Sequence, residues 1–158
     1  MLATNSVLEY QGAVMSVDFR GGIRQRVDVS PNNPLDQVRL RTIGFKVSGQ
    51  VEGGPALTIE QNDVDVEAKS TLTMTQKFPP RYEERDFLSF SLTIDPPDGG
   101  EPVVLETKDD MELIAQLTQY PARGNIYKLV RPVELVDREQ PDTVVARLTA
   151  FPSKRGGL

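Results

Sequence analysis

The sequence predicts an all-β protein: an antiparallel β-sandwich of about eight to ten strands, with a closed β-barrel as the alternative. Three observations carry this. From Val64 to Phe78 every second residue is mostly apolar or small (Val64, Val66, Ala68, Ser70, Leu72, Met74, Gln76, Phe78), and the residues between them are all charged or threonine. That period of two marks a strand with one face buried and one wet. Phe87 to Ile94 repeats the pattern, with Leu88, Phe90, Leu92 and Ile94 set against Ser89, Ser91 and Thr93. Similar short stretches recur along the 158 residues, separated by Gly and Pro, 12 of each, as sandwiches and barrels require.

Residues 1–12 read as an N-terminal arm in which Val7, Leu8 and Tyr10 could still pair with a sheet edge. Residues 13–152 read as one β domain. Its first strand runs from Ala13 to Phe19, with Met15, Val17 and Phe19 on one face. Arg20-Gly21-Gly22 reads as a turn, because glycine reaches positive φ cheaply. Arg24 to Val29 then returns as the second arm of a hairpin. Pro31-Asn32-Asn33-Pro34 is a break. In Gln37 to Val51 the apolar phase changes: Val38 and Leu40 share one phase, Ile43, Phe45, Val47 and Val51 the other. A β-bulge around residues 41–44 accounts for the slip, since one inserted residue exchanges the faces.

Leu57 to Gln61 is a short strand, and Asn62-Asp63 turns the chain into the long segment 64–78. A straight strand of that length would span about 50 Å, far beyond the usual five or six residues. The expectation is one long bent strand, since alternation survives in a single phase; a tight corner near Ala68–Ser70 is the alternative. Pro79-Pro80 ends it, and residues 81–86 read as a charged connection to the strand at Phe87. Pro96-Pro97-Asp98-Gly99-Gly100 turns into Val103–Thr107. Segment 109–120 reads two ways. Met111, Ile114 and Leu117 would form a helical stripe capped by Asp109 or Asp110, giving one short helix near 110–118; Leu113, Ala115 and Leu117 would form a strand face. The β context favours the strand. Ile126 to Val136 is a strand that Pro132 pushes toward an edge or a bulge. Thr143 to Phe151 is the last strand, and residues 153–158 read as a flexible C-terminal tail.

Composition narrows function. There is no Cys, His or Trp. That removes disulfides, a thiol nucleophile, a histidine general base, the commonest transition-metal ligands and any standard Ser-His triad. Lys plus Arg number 18 against 23 Asp plus Glu, a net charge of −5, which argues against nucleic acid or an anionic membrane as partner. The N-terminus has no secretory pattern, no run would span a bilayer, and a cytoplasmic location is the default. No catalytic residue and no cofactor are predicted.

Three groups stand out. Tyr82, Glu83, Glu84, Arg85 and Asp86 form the densest charged segment, and Lys108, Asp109 and Asp110 another. Loops on rigid scaffolds often carry binding, so both are candidate binding groups; the plainer reading is solubilising charge. Asp63, Asp65 and Glu67 would share one strand face as oxygen ligands for a hard cation, although no glycine supplies the sharp turn of the known calcium loop. A solvated acidic face is the simpler account. The expected function is a non-enzymatic binding or accessory domain acting on an unknown protein or small molecule through loops or a sheet face, with a homo-oligomer as one form. The alternative is a β-barrel enclosing an apolar small molecule, with isomerase- or cyclase-type activity aided by the phenols of Tyr10, Tyr82, Tyr120 and Tyr127.

Overall fold

The computed structural model describes residues 1–29, 36–62 and 67–156. Among them there are thirteen strands and no helix. They are β1 (Leu2–Tyr10), β2 (Ala13–Val29), β3 (Gln37–Gln50), β4 (Ala56–Gln61), β5 (Ser70–Gln76), β6 (Arg81–Leu88) and β7 (Phe90–Asp95). After these come β8 (Val103–Thr107), β9 (Met111–Leu117), β10 (Asn125–Leu129), β11 (Val133–Asp137), β12 (Gln140–Ala150) and β13 (Ser153–Arg155). All belong to one antiparallel sheet, ordered β12-β11-β8-β7-β4-β3-β2-β1-β13-β10-β9-β6-β5, with further pairings β12–β1 and β3–β5. The fold is therefore all-β and antiparallel, as the alternation predicts.

The two further pairings return the sheet upon itself in two hydrogen-bonded circuits. One runs through β1, β2, β3, β4, β7, β8, β11 and β12; the other through β1, β2, β3, β5, β6, β9, β10 and β13. Both share β1 to β3. The first circuit faces inward with aliphatic and aromatic side chains: Leu8, Val47, Leu57, Ile59, Phe90, Leu92, Leu105, Leu135 and Leu148 are all buried. Each such burial is worth about 1.5–3 kcal/mol, so this circuit anchors the fold. Phe19 and Phe45, on the shared strands, pack their rings against Phe151 at 5.7 and 6.5 Å.

Several expectations need correction. The arm is strand β1, seated between β2 and β13 and also paired with β12. Its turn into β2 places Gln11 at φ 52° and Gly12 at φ 73°, the two positive angles that a two-residue hairpin loop requires. Gly21-Gly22 is no turn: β2 runs straight through, paired with β3 from Arg20 onward. A Cβ on Gly21 would run into the Lys46 carbonyl oxygen, so glycine here serves close strand approach. The bulge expected at residues 41–44 is present: Arg24 faces Gly44 and Gln25 faces Thr42, leaving Ile43 as the extra residue, half exposed.

The long bent strand is also corrected. The described part begins at Ser70, and Ala68 has φ 48°, a left-handed conformation that a ladder does not accommodate. The chain takes the corner that was the alternative; Val64 and Val66 lie outside the described residues. Phe78, expected inward, is 90% exposed in the β5–β6 turn. Residues 81–86 are not a loop but most of β6, which pairs with β5 and β9. Phe87 to Ile94 is two strands, because the chain leaves the second circuit at Leu88 and enters the first at Phe90. Ser89 is fixed at that crossing by Asn62, whose amide nitrogens reach the Ser89 carbonyl and hydroxyl at 3.1 Å. Segment 111–117 is strand β9, not a helix. Pro132 divides the segment 126–136 into β10 and β11. Of the expected tail, Ser153–Arg155 is strand β13, between β1 and β10.

Candidate functional site

The second circuit differs from the first in what its wall turns inward. On β6 the burial alternates, with Glu84, Asp86 and Leu88 buried. Leu72 and Ala115 flank Glu84 in register, and Leu113 flanks Asp86. With a period of two, burying Leu88 commits Asp86 and Glu84 to the same face. Both carboxyl groups are 0% exposed.

Their cation comes from β13. Arg155 is buried, and its Nη1 donates to Glu84 Oε2 at 3.0 Å and is in ion-pair contact with Asp86 Oδ2. Its guanidinium centre lies 3.7 Å from the centroid of the Tyr127 ring, a stacking that favours arginine over lysine. The Tyr127 hydroxyl donates to Glu84 Oε1 at 2.8 Å. From β2, Gln25 Nε2 donates to Asp86 Oδ1 at 3.0 Å and to Thr42 Oγ1 at 3.4 Å. Four buried polar atoms of this group have no hydrogen-bond partner: Asp86 Oδ2, Ser153 Oγ, Arg155 Nε and Arg155 Nη2. Buried polar groups are ordinarily satisfied. The buried Arg155 guanidinium thus has one edge, Nε and Nη2, without an acceptor.

Two carboxyl groups face one cation. Burial, and next the neighbouring Asp86, push the Glu84 carboxyl up to about 8, against the pull of Arg155 and Tyr127. At neutral pH the Glu84 carboxyl therefore favours its neutral form. Burial works to lower the Arg155 pKa, but Asp86 and Glu84 outweigh it and raise it. Burial and the charge of Glu84 raise both the Tyr127 and the Tyr120 phenols.

Above the charged group, toward the β5–β6 turn, Met74, Tyr82 and Leu117 are cross-strand neighbours. Met74 and Tyr82 are half-buried, as is Tyr120 beyond the end of β9. On the neighbouring wall Val27, in register with the buried Leu40, is 50% exposed. This end of the circuit is therefore an apolar and aromatic rim over a polar floor.

The sequence-derived candidates divide accordingly. Glu84 and Asp86 are the acids of the buried group, and Tyr82 stands on their face one step outward. Glu83 and Arg85 point the other way: Arg85 Nε donates to Glu83 at 2.9 Å, and its Nη1 donates to Glu112 at 2.8 Å. Glu112, itself buried, is also held by Arg131 at 2.9 Å. Lys108 and Asp109 are exposed. Asp109 and Asp110 line a surface cleft of about 280 Å³ with Phe87 and Arg131, and Asp110 meets Lys69 at 3.5 Å. Of the cation candidates, Asp63 and Asp65 lie outside the described residues; Glu67 pairs with Lys69 at 3.0 Å. Among the described residues no three acidic side chains gather to hold a metal ion.

Arg155 and Gln25 were missed. Arg155 sits in a stretch that reads as tail, with no alternation long enough to signal a three-residue strand. The acids did leave a signal: the inward phase of Leu88 and Phe90, continued backward, passes through Asp86, Glu84 and Tyr82.

The fold and site together define a closed antiparallel β protein with a buried acid–arginine–tyrosine group inside one of its two circuits. No protein-family model and no curated protein matches this chain. Among solved structures it is similar to DynF from the dynemicin biosynthesis pathway of Micromonospora chersina, with a TM-score of 0.74, 20% identity, and coverage of 99% of this chain and 77% of that one. At that identity the likeness establishes a shared fold.

Proposed function

We propose that this chain is a small-molecule-binding β protein whose ligand is received inside the second circuit, against Arg155, Glu84, Asp86 and Tyr127. The observation that carries the reading is the idle edge of Arg155: two nitrogens of a buried guanidinium without an acceptor. Leaving such donors unmet costs about 1–3 kcal/mol apiece, a cost that an oxygen-bearing ligand would relieve. The half-buried rim of Met74, Tyr82 and Tyr120 suits an otherwise apolar molecule. The related fold of a protein from a biosynthesis pathway supports the same reading. It moves binding from loops to the interior. Among the described residues no helix is long and apolar enough to cross a membrane.

The test is a titration of the ¹⁵N-labelled protein with benzoylacetone, an aryl diketone, beside butylbenzene, which lacks oxygen. Shifts of the Tyr120, Tyr127 and Arg155 amides that saturate with the diketone and are weaker with the hydrocarbon support the proposal. Shifts confined to exposed residues around Asp109, or none at all, refute it.

A further inference from the structure

Resting on that reading, we propose that the second circuit is an acid–base site for an enolisable carbonyl compound, with Glu84 as proton donor, Asp86 as proton acceptor and Arg155 as the anchor of the reacting oxygen. The arrangement supplies each part. Two carboxyl groups, two residues apart on one strand face, meet the same arginine nitrogen, so a single cation serves two acids. Asp86 Oδ1 is held by Gln25, while Oδ2 has no aligned donor and keeps a lone pair for a proton. Glu84 is fixed from both sides, by the Tyr127 hydroxyl on Oε1 and by Arg155 on Oε2. The free Nε and Nη2 of Arg155 form a two-nitrogen edge of the kind that binds a carbonyl or enolate oxygen.

The step balances without a co-reactant. Asp86 takes the proton from the carbon next to the carbonyl; the C–H pair becomes the new C=C bond. The carbonyl π pair moves onto oxygen, which takes the proton of Glu84. Asp86 is left protonated and Glu84 ionised, and one proton passing between the two carboxyl groups restores the start. Negative charge grows on the oxygen beside Arg155, where a preset cation in a dry site has most effect. The charged and titratable groups facing Glu84 are Asp86 from its own strand, Arg155 from β13, Tyr127 from β10 and Tyr120 beyond β9; β5 and β9 present Leu72 and Ala115 at its register.

The experiment follows relaxation of benzoylacetone to its enol–keto equilibrium by ultraviolet absorbance, with wild type, Glu84→Gln and Asp86→Asn. Isotope-edited infrared spectra of Glu-labelled protein are recorded alongside. The expected result is acceleration by wild type that falls by about 10²–10⁴-fold in either variant, with a protonated-carboxyl band at neutral pH that Glu84→Gln removes. Saturable amide shifts at Tyr127 and Arg155 without acceleration overturn this inference and leave the binding reading standing. An absence of those shifts overturns both. If Asp86→Asn does not fold, the infrared band decides: wild type lacking it at neutral pH refutes the assignment.

Discussion

Glu84→Gln should convert a pH-dependent stability into a nearly flat one. The Glu84 carboxyl is buried with its pKa raised from 4.5 to about 8. A group whose neutral form is favoured in the folded state contributes no penalty below the unfolded value, where both states are protonated. As pH rises from about 4.5, the unfolded chain releases the proton and the folded chain keeps it. Stability therefore falls up to about pH 8 and levels off once the folded group also ionises. The difference, 8 − 4.5 = 3.5, at about 1.36 kcal/mol per unit amounts to about 5 kcal/mol across that window. That is a large part of the 5–15 kcal/mol typical of a whole domain. Asp28 and Glu83, both held below their ordinary range by hydrogen bonds, Asp28 first from Arg26 and Glu83 first from Gln116, act with opposite sign and only as pH falls below about 4.5. Glutamine carries no titrating proton and nearly matches the acid in shape and volume. Urea unfolding followed by circular dichroism from pH 4.5 to 8.5 measures both proteins. The reasoning fails if wild type is equally stable throughout, or if Glu84→Gln loses stability with pH in parallel with it.

Other expectations follow from the same geometry. Arg155→Met removes the cation from two buried acids and should cost about 3–5 kcal/mol, while the triple change Glu84→Gln, Asp86→Asn, Arg155→Met should recover part of it, both read by denaturant midpoints. Tyr127→Phe should cost about 1–3 kcal/mol through the lost hydroxyl donor; it should also lessen the stability loss above about pH 10 that a phenol kept neutral in the fold produces as the unfolded one ionises, seen as a smaller fall in Tm on the alkaline side. Gly21→Ala, driven into the Lys46 carbonyl, should lose about 1–3 kcal/mol, whereas Gly22→Ala, with nothing within 4 Å of its Cβ, should stay within about 0.5 kcal/mol. Leu92→Ala in the filled first circuit should cost about 2–5 kcal/mol by thermal melting.

The alternation that exposed β7 and much of β3 worked because one face of each packs on apolar neighbours. It even located the bulge, since Ile43 leaves Phe45 and Leu40 both inward across a phase slip. The same rule mistook β6 for a loop. An acidic, arginine-containing run carries no hydrophobic signature, and only its continuity with Leu88 shows which carboxylates go inside. Gly21-Gly22 misled for the opposite reason, because glycine permits both a turn and a close approach between strands, and the composition is identical in the two cases. Proline was more reliable: Pro132 stands in the break between β10 and β11, since its ring removes a ladder donor in any context.

Taken alone, the chain's residue order determined that this is an antiparallel β protein, where most of its inward faces lie, and that histidine and cysteine chemistry is closed to it. Those properties are local, set by backbone geometry and side-chain polarity over two to eight residues. Which strands meet was decided by the tertiary structure. Arg155 reaches Glu84 across 71 positions, and Gln25 reaches Asp86 across 61. No local pattern encodes such pairings, because they arise when β13 slots between β1 and β10 and the sheet closes. The buried charge group exists only in that closed form, where removal of water makes each unmatched proton and lone pair costly enough to matter.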